Sequence, residues 1–193
     1  MRTWERTLRR AGLPLAYSGG YNPRPKLQLA RALPLGHAGE AEILDVWMES
    51  ALPVETVAKM TAPVLPEGLA IKEVRQVDPK APAMQTRVVG TAYQVSVEWD
   101  ERVEEVEARI KRALSADEII HERRGKRYNL RPLIEALEVT RAEGGRATLR
   151  MRLSARPGAT GRPEAVLDVL GMGRAFARYY REELILATAS ENG

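Results

Sequence analysis

The sequence contains no cysteine, and its 193 residues include only two histidines and one phenylalanine. The missing thiols exclude disulfides, a thiolate nucleophile, and zinc or iron–sulfur sites built on cysteine ligands. His37 and His121 are far apart in the chain, which does not favour a histidine metal site. We therefore expect the protein to hold no cofactor and no metal of its own.

Long apolar runs are also missing. No stretch approaches the roughly 20 apolar residues that are needed to cross a bilayer. The start, Met1–Arg6, is basic, but the apolar segment that a secretory signal requires does not follow it. These absences predict no membrane partner and a cytoplasmic location.

Charge of both signs is abundant, with 30 Lys and Arg against 26 Asp and Glu and a net charge of +4. This excess is small, so binding to a nucleic acid would depend on local clusters of cations. Charged residues make up 29% and hydrophobic residues 44%, which is typical of a globular protein.

The order of apolar patterns in the second half predicts a strand, a helix, a hairpin, a helix and a strand. The first strand alternates from Tyr93 to Trp99, and the stripe from Val103 to Leu114 has helical spacing. The hairpin turns at Gly144 and Gly145, a short helix begins at Pro163, and 179–187 is the closing strand. This β-α-β-β-α-β order is that of the split βαβ, or ferredoxin-like, motif.

The first half shows the same order without its first strand, with expected strands at 26–35, 42–49 and 69–74. We therefore predict an α+β fold made of two ferredoxin-like halves, the first lacking its N-terminal strand. The boundaries are 1–77 for the first half, 78–88 for a proline-containing linker, and 89–193 for the second half.

The segment from Tyr17 to Lys26 has the composition of a ligand-binding loop. Its glycines allow close backbone approach, its tyrosines offer stacking faces and its cations suit phosphate. The candidate RNA-binding residues here are Tyr17, Gly19, Gly20, Tyr21, Arg24 and Lys26. The alternative is a rigid connection whose prolines and asparagine set its turns.

The segment from His121 to Arg131 is the most basic, since five of its eleven residues are Arg or Lys. A positive hairpin can follow RNA phosphates and release counterions when it binds. The candidate residues are Arg123, Arg124, Lys126, Arg127, Tyr128 and Arg131. The alternative is an ordinary solvated loop. Arg150 and Arg152 could extend the positive surface or pair with acidic neighbours.

The two histidines are the bases that titrate nearest to neutral pH. Neither His37 nor His121 lies beside a serine or an aspartate in a triad-like pattern. We expect structural or surface roles for both, and we assign no catalytic residue.

Several segments resemble the domain of unknown function that is linked to radical-SAM proteins, found beside or fused to its partner. They are Glu5–Ser18, Gly20–Lys26, Leu33–Gly36, Leu65–Leu69, Asn129–Ile134, Arg162–Glu164 and Leu170–Gly171. The resemblance implies a radical-SAM protein as partner. It also points to RNA, because members are often encoded near a ribonuclease of the E/G type and ribosomal-protein genes.

Two departures from the family pattern affect these expectations. The chain starts inside the helix that usually follows a first strand, so we expect either a truncated start or another strand in that place. The usual Gly-Phe-Asn-Pro-His-Pro has Tyr21 and Arg24 in place of its phenylalanine and histidine. A role that the family assigns to that histidine therefore cannot be assigned to Arg24.

Together these features predict a non-catalytic accessory module of a radical-SAM system that binds RNA through its basic loops. One alternative is a protein-interaction domain that docks on the radical-SAM partner without touching RNA. Another is an RNA-processing hydrolase that uses His37 or His121 as its base.

Overall fold

The computed structural model describes residues 1–187 and confirms a mixed α+β fold. The helices are α1 (Arg2–Arg10), α2 (Val54–Thr61), α3 (Met84–Arg87), α4 (Val103–Ser115) and α5 (Pro163–Val169). The strands are β1 (Leu27–Leu29), β2 (His37–Gly39), β3 (Leu44–Val46), β4 (Val88–Glu98), β5 (Ile120–Arg123), β6 (Lys126–Asn129), β7 (Ile134–Glu143), β8 (Arg146–Arg156), β9 (Ala159–Thr160) and β10 (Ala177–Leu186). Within residues 1–187, no helix is both long and apolar enough to cross a membrane.

Contacts divide the chain into two compact units. The first unit consists of Met1–Ala30 and Ile43–Thr86, and the second consists of Arg31–Glu42 and the chain from Arg87 onward. The segment Arg31–Glu42, called the arm below, therefore interrupts the first unit in sequence and belongs to the second.

The second unit is built on a sheet with the strand order β2-β10-β4-β8-β7, and the short strand β9 pairs with the C-terminal end of β8. Its neighbouring strands are antiparallel, except that β2 of the arm runs parallel to β10. Val95 and Val97 in β4 are fully buried, whereas Gln94 before them and Glu98 after them are exposed. The alternation that predicted this strand reflects one face on the core and one facing water.

The core of the second unit lies between this sheet and the two helices α4 and α5. Val106 and Ile110 of α4 and Val166 of α5 pack with Leu149 and Met151 of β8. The helical spacing of Val106 and Ile110 places them on one side of α4, and both are buried. This packing confirms the helix predicted from the stripe between Val103 and Leu114.

The first unit has a smaller core and a two-stranded sheet. Strands β1 and β3 are antiparallel, with Leu27 opposite Val46. The buried residues of its core include Leu8 of α1, Val57 of α2 and Leu15 of the segment that follows α1. Four such residues form the fully buried part, which is modest for a unit of this length.

Two predictions for the first half are wrong, and the ferredoxin-like description of that half is not confirmed. The segment 69–74 forms no strand in the structure; Leu69 is 37% exposed, and no neighbouring strand pairs with the segment. The strand predicted at 26–35 ends at Leu29, because the chain then leaves this unit as the arm. Local alternation could not reveal that the partner of the arm lies about 140 residues later.

Arg181 of β10 holds the arm in place. Its side chain is 1% exposed, and it donates two hydrogen bonds to the Glu42 carboxylate, one of them at 2.7 Å from Nε. It also donates to the Arg31 carbonyl oxygen at 3.0 Å. Burial alone would lower the pKa of Arg181, but the hydrogen bond and charge of Glu42 outweigh it and raise the pKa. The arm is therefore fastened by a buried ion pair as well as by strand pairing.

Candidate nucleic-acid interface

The basic segment forms a tight hairpin from strands β5 and β6. Its strands pair from Ile120 opposite Asn129 to Arg123 opposite Lys126. The two turn residues, Arg124 and Gly125, have φ angles of 51° and 74°. Two consecutive positive φ values are the geometry of the two-residue turn that matches strand twist. The hairpin therefore presents its cations on a defined backbone.

The tip of this hairpin carries unneutralised positive charge. All four of its cations are exposed, and none forms an ion pair or side-chain hydrogen bond with any residue in the range 1–187. They are Arg123, Arg124, Lys126 and Arg127. Exposed cations without partners are the groups that can neutralise phosphates at little desolvation cost.

The arginines on the open face of the sheet differ from those of the hairpin. Arg150 lies 3.0 Å from Glu182, and Arg152 lies 2.8 Å from Glu135, each measured from Nε to a carboxylate oxygen. The neighbouring Glu182 also raises the pKa of Arg150, chiefly through this hydrogen bond. Each of these arginines is paired with a carboxylate, so the structure favours the paired alternative for both.

Polar side chains at the base of the hairpin join it to the body of the second unit. The Asn129 Oδ1 atom accepts hydrogen bonds from the backbone N–H groups of Ile119 and Arg131, both at 3.0 Å. The Arg131 side chain donates to the carbonyl oxygens of Leu114 and Ile134. Arg131 therefore holds the backbone and has fewer donors left for RNA than the tip residues.

Tyr128 lies at the base of the hairpin with its hydroxyl buried and without a partner among the described residues. Burial raises its pKa, while the charges of Arg162 and Arg123 act in the opposite direction. Its ring contacts that of His121 edge to face, with 5.6 Å between centroids. Tyr128 thus packs against His121 on the opposite strand of the hairpin and against the core of the second unit.

Both histidines of the chain bind carboxylates of the short helix α5. The His37 Nε2 atom lies 3.0 Å from Glu164, and the His121 Nε2 atom lies 3.1 Å from Asp168. Glu164 and Asp168 are four residues apart and share one face of the helix. These pairs were missed in the sequence because they join residues that are 127 and 47 positions apart.

The second ring nitrogen of each histidine is inaccessible. Both Nδ1 atoms are buried, without a hydrogen-bond partner among the described residues. A general base needs one nitrogen within hydrogen-bond reach of the substrate. The geometry around His37 and His121 therefore gives no support to the hydrolase alternative.

His37 is part of an aromatic cluster. Its ring stacks on Tyr179 with 4.5 Å between centroids and an angle of 11°, and it meets Tyr93 edge to face at 6.1 Å. Burial raises the pKa of Tyr179, and the charges of Glu164 and Asp168 raise it further. The cluster attaches the arm to the sheet and to α5.

Gly173 makes room for the carboxylate that binds His121. A Cβ atom at this position would overlap the Asp168 carboxylate and lie 3.1 Å from the Asp168 Cα. We expect Gly173→Ala to displace Asp168 from His121 and to lower the free energy of unfolding by about 1–2 kcal/mol. Thermal unfolding checks this, with Gly19→Ala as the control, where an added Cβ meets nothing within 4 Å and, as at Gly173, φ lies outside the left-handed region. An equal or larger loss at Gly19 would contradict the prediction.

The predicted loop of the first unit is closed at its base and exposed at its tip. The Ser18 backbone N–H donates to the Arg24 carbonyl oxygen at 2.8 Å, and the Arg24 N–H donates to the Ser18 hydroxyl at 3.1 Å. Tyr17 forms an isolated bridge with Pro25. The tip residues, together with Lys26 at the base, are exposed: Gly19, Gly20, Tyr21, Arg24 and Lys26. Tyr21 is completely exposed.

No metal site is apparent in the part of the chain that the structure describes, where no three histidine or acidic side chains converge. The twelve predicted RNA-binding residues fall in both units, with six in the loop of the first unit and six in or beside the hairpin of the second. Ten of them are exposed, whereas Tyr128 and Arg131 are partly buried at the base of the hairpin.

No curated protein matches the sequence. A chain in the crystal structure of a Cbf5-Nop10-Gar1 complex is similar over 82% of this chain and 40% of its own length, with 15% identity and a TM-score of 0.47. Residues 1–163 match the family described as "Uncharacterized protein conserved in bacteria (DUF2344)". This match covers well over half of the sequence, and the chain therefore belongs to that family.

Proposed function

We propose that the protein is a non-catalytic accessory module that binds RNA through the β5–β6 hairpin. The observation that carries the proposal is the unpaired charge at the hairpin tip, whereas Arg150 and Arg152 of the main sheet are paired with carboxylates. Since net charge is only +4, a concentrated positive surface of this kind is the feature that would draw a polyanion.

The geometry suits the backbone of RNA. A two-stranded protrusion can enter a groove or follow a strand, and its cations gain affinity by releasing counterions. The loop from Tyr17 to Lys26 supplies a second contact, because the fully exposed Tyr21 ring can stack on a base.

We also infer that the second unit is ferredoxin-like. The strand order β10-β4-β8-β7, with α4 and α5 following β4 and β8, supports this inference. Such a scaffold serves RNA binders, metal carriers and enzymes, so the proposal depends on the hairpin and not on the topology.

The proposed partner is a radical-SAM protein. Support comes from the segments that resemble the radical-SAM-linked family, such as Leu33–Gly36 and Arg162–Glu164. The chain has no cysteine with which to bind an iron–sulfur cluster, so the partner would supply that chemistry. In this arrangement the module would present RNA to the partner.

The test is RNA binding by a charge-reversed hairpin. The variant combines Arg123→Glu, Arg124→Asp, Lys126→Glu and Arg127→Glu, with aspartate at 124 because it tolerates a positive φ better. We expect affinity for a labelled transfer RNA to fall more than about tenfold, and the slope of log K against log salt to decrease by about three. Fluorescence anisotropy at several salt concentrations measures both.

The control reverses four scattered cations that are equally exposed and without ion pairs among the described residues. These are Lys111, Arg146, Arg156 and Arg174, each changed to glutamate. Because the net charge change is the same, a general charge effect would weaken both variants equally. Equal weakening, or no RNA binding by the unchanged protein at low salt, would refute the proposal.

A further inference from the structure

Arg162 lies between β9 and α5 and has an unused guanidinium. The residue is half-buried, and its side chain makes no hydrogen bond or ion pair with any residue in the range 1–187. None of its guanidinium nitrogens is among the buried polar atoms without a partner, so its N–H donors are accessible from solvent. The free, accessible donors of Arg162 therefore indicate a place where an anion can bind.

A second arginine near Arg162 also lacks a carboxylate. Arg31 of the arm donates hydrogen bonds to the Ala155 carbonyl oxygen and to the Thr160 hydroxyl, both at 3.0 Å, and these acceptors are neutral. Burial lowers the pKa of Arg31; Tyr93 opposes this, while the charges of Arg181 and Arg162 lower it further. Arg31 and Arg162 thus repel one another without a shared counterion.

The carboxylates around these arginines are already engaged. Glu42 binds Arg181, Glu164 binds His37, and Asp168 binds His121. Among the described residues, no carboxylate forms an ion pair with either Arg31 or Arg162. Two positive charges are left over, which is the charge that a doubly charged anion would balance.

The backbone fixes the position of these groups. Gly161 is buried, and an added Cβ there would lie 2.8 Å from the Leu133 carbonyl oxygen. Its N–H donates to the Ser154 carbonyl oxygen at 2.8 Å. This close packing fixes the backbone of Thr160 and Arg162 on either side of Gly161. The Arg31 guanidinium is held by its hydrogen bonds to Ala155 and Thr160, so that half of the site is already in place when an anion binds.

We propose that Arg162 and Arg31, with the Thr160 hydroxyl beside them, bind a phosphate monoester. A monoester carries nearly two negative charges at neutral pH, whereas a phosphodiester carries one. The charges of Arg162 and Arg123 both act on Tyr128, at the base of the hairpin. The phosphate would belong to the end of an RNA chain or to a free mononucleotide. The inference rests on the proposed function only for the first of these sources.

The experiment uses the whole chain and two matched pairs of probes. Adenosine 5′-monophosphate is compared with adenosine by calorimetry, and a 5′-phosphorylated RNA oligonucleotide is compared with its 5′-hydroxyl form by anisotropy. We expect the monophosphate to bind at least about tenfold more tightly than adenosine, and Arg162→Gln to remove that preference. Arg156→Gln, at an exposed arginine nearby, is expected to leave it unchanged.

The unfolding midpoint of the unliganded protein shows whether Arg162 binds a ligand or stabilises the fold. Because Arg162 makes no contact that holds the fold, Arg162→Gln is expected to leave the unfolding midpoint unchanged or slightly raised. A clear fall in the midpoint, or equal binding of the monophosphate and adenosine, overturns the proposal.

The two pairs of probes also distinguish the two sources of phosphate, and they distinguish this proposal from the proposed RNA function. Preference for the phosphorylated RNA end, retained in the charge-reversed hairpin variant at weaker overall affinity, supports the RNA terminus as ligand. Preference for the monophosphate alone, with no binding of either RNA, supports a nucleotide site while refuting the proposed RNA function.

Discussion

Replacing Arg181 with methionine is expected to lower the free energy of unfolding by about 3 kcal/mol, since the change strands a partly buried carboxylate. The Glu42 carboxylate would lose both of its hydrogen bonds from this side chain, and the Arg31 carbonyl oxygen would lose one. Methionine has a similar length, so loss of packing contributes less than loss of the ion pair. Urea unfolding measured on the whole chain gives the difference.

Two further variants make this prediction specific. Adding Glu42→Gln to Arg181→Met removes the unpaired charge, and we expect about 1–2 kcal/mol to be recovered. Arg150→Met breaks another Arg–Glu pair of the same sheet whose arginine is 57% exposed, and it is expected to change stability little. A similar loss in Arg150→Met and Arg181→Met would contradict the role assigned to burial.

Replacing His37 with alanine is expected to lower the free energy of unfolding by about 2–3 kcal/mol. The change removes a ring that stacks on Tyr179 and a hydrogen bond to Glu164. Aromatic stacking and a hydrogen bond to a charged group together account for this magnitude. Denaturant unfolding near neutral pH provides the measurement.

Two further variants separate the contribution of ring stacking from that of the hydrogen bond to the carboxylate. His37→Phe keeps the stacked ring and is expected to recover part of the loss. His121→Ala is expected to cost less, because its ring meets Tyr128 only edge to face, with 5.6 Å between centroids. RNA binding should survive both alanine substitutions, because neither histidine is among the proposed RNA-binding residues, and its loss in a folded variant would contradict that assignment.

Local patterns predicted the second unit well because its strands and helices each have one apolar face. Alternation around Val95 and Val97 and helical spacing of Val106 and Ile110 are properties of single segments. The two glycines at 144 and 145, with φ angles of 59° and 71°, marked the turn between β7 and β8. Each of these signals lies within a few residues of the structure it specifies.

Features that depend on distant partners could not be predicted in this way. The apolar residues Leu27, Leu29 and Leu33 suggested one strand, but the chain leaves the first unit after Ala30. β2 contains His37, Ala38 and Gly39, and only its pairing with β10 makes it a strand. Strand propensity depends on neighbours, and here the neighbour is near the other end of the chain.

In the candidate site, too, local features could be predicted from the sequence and features that depend on distant contacts could not. The hairpin tip was recognisable because its cations are consecutive in sequence. The ion pairs that Arg150 and Arg152 form with glutamates could not be recognised in the sequence, nor could the lack of counterions at Arg31 and Arg162. Charge balance at these positions depends on contacts between residues more than 15 positions apart. Histidine–carboxylate pairs on α5 were hidden for the same reason.

The route of the arm has consequences for synthesis and for cutting the protein into parts. His37 pairs with Tyr179, so the edge of the main sheet cannot close until nearly the whole chain has been made. Pairing over such separations slows folding. A fragment that begins at residue 87 would lack the arm, expose part of the β10 edge and leave Arg181 without Glu42. Neither unit can therefore be obtained intact by dividing the gene at a single codon.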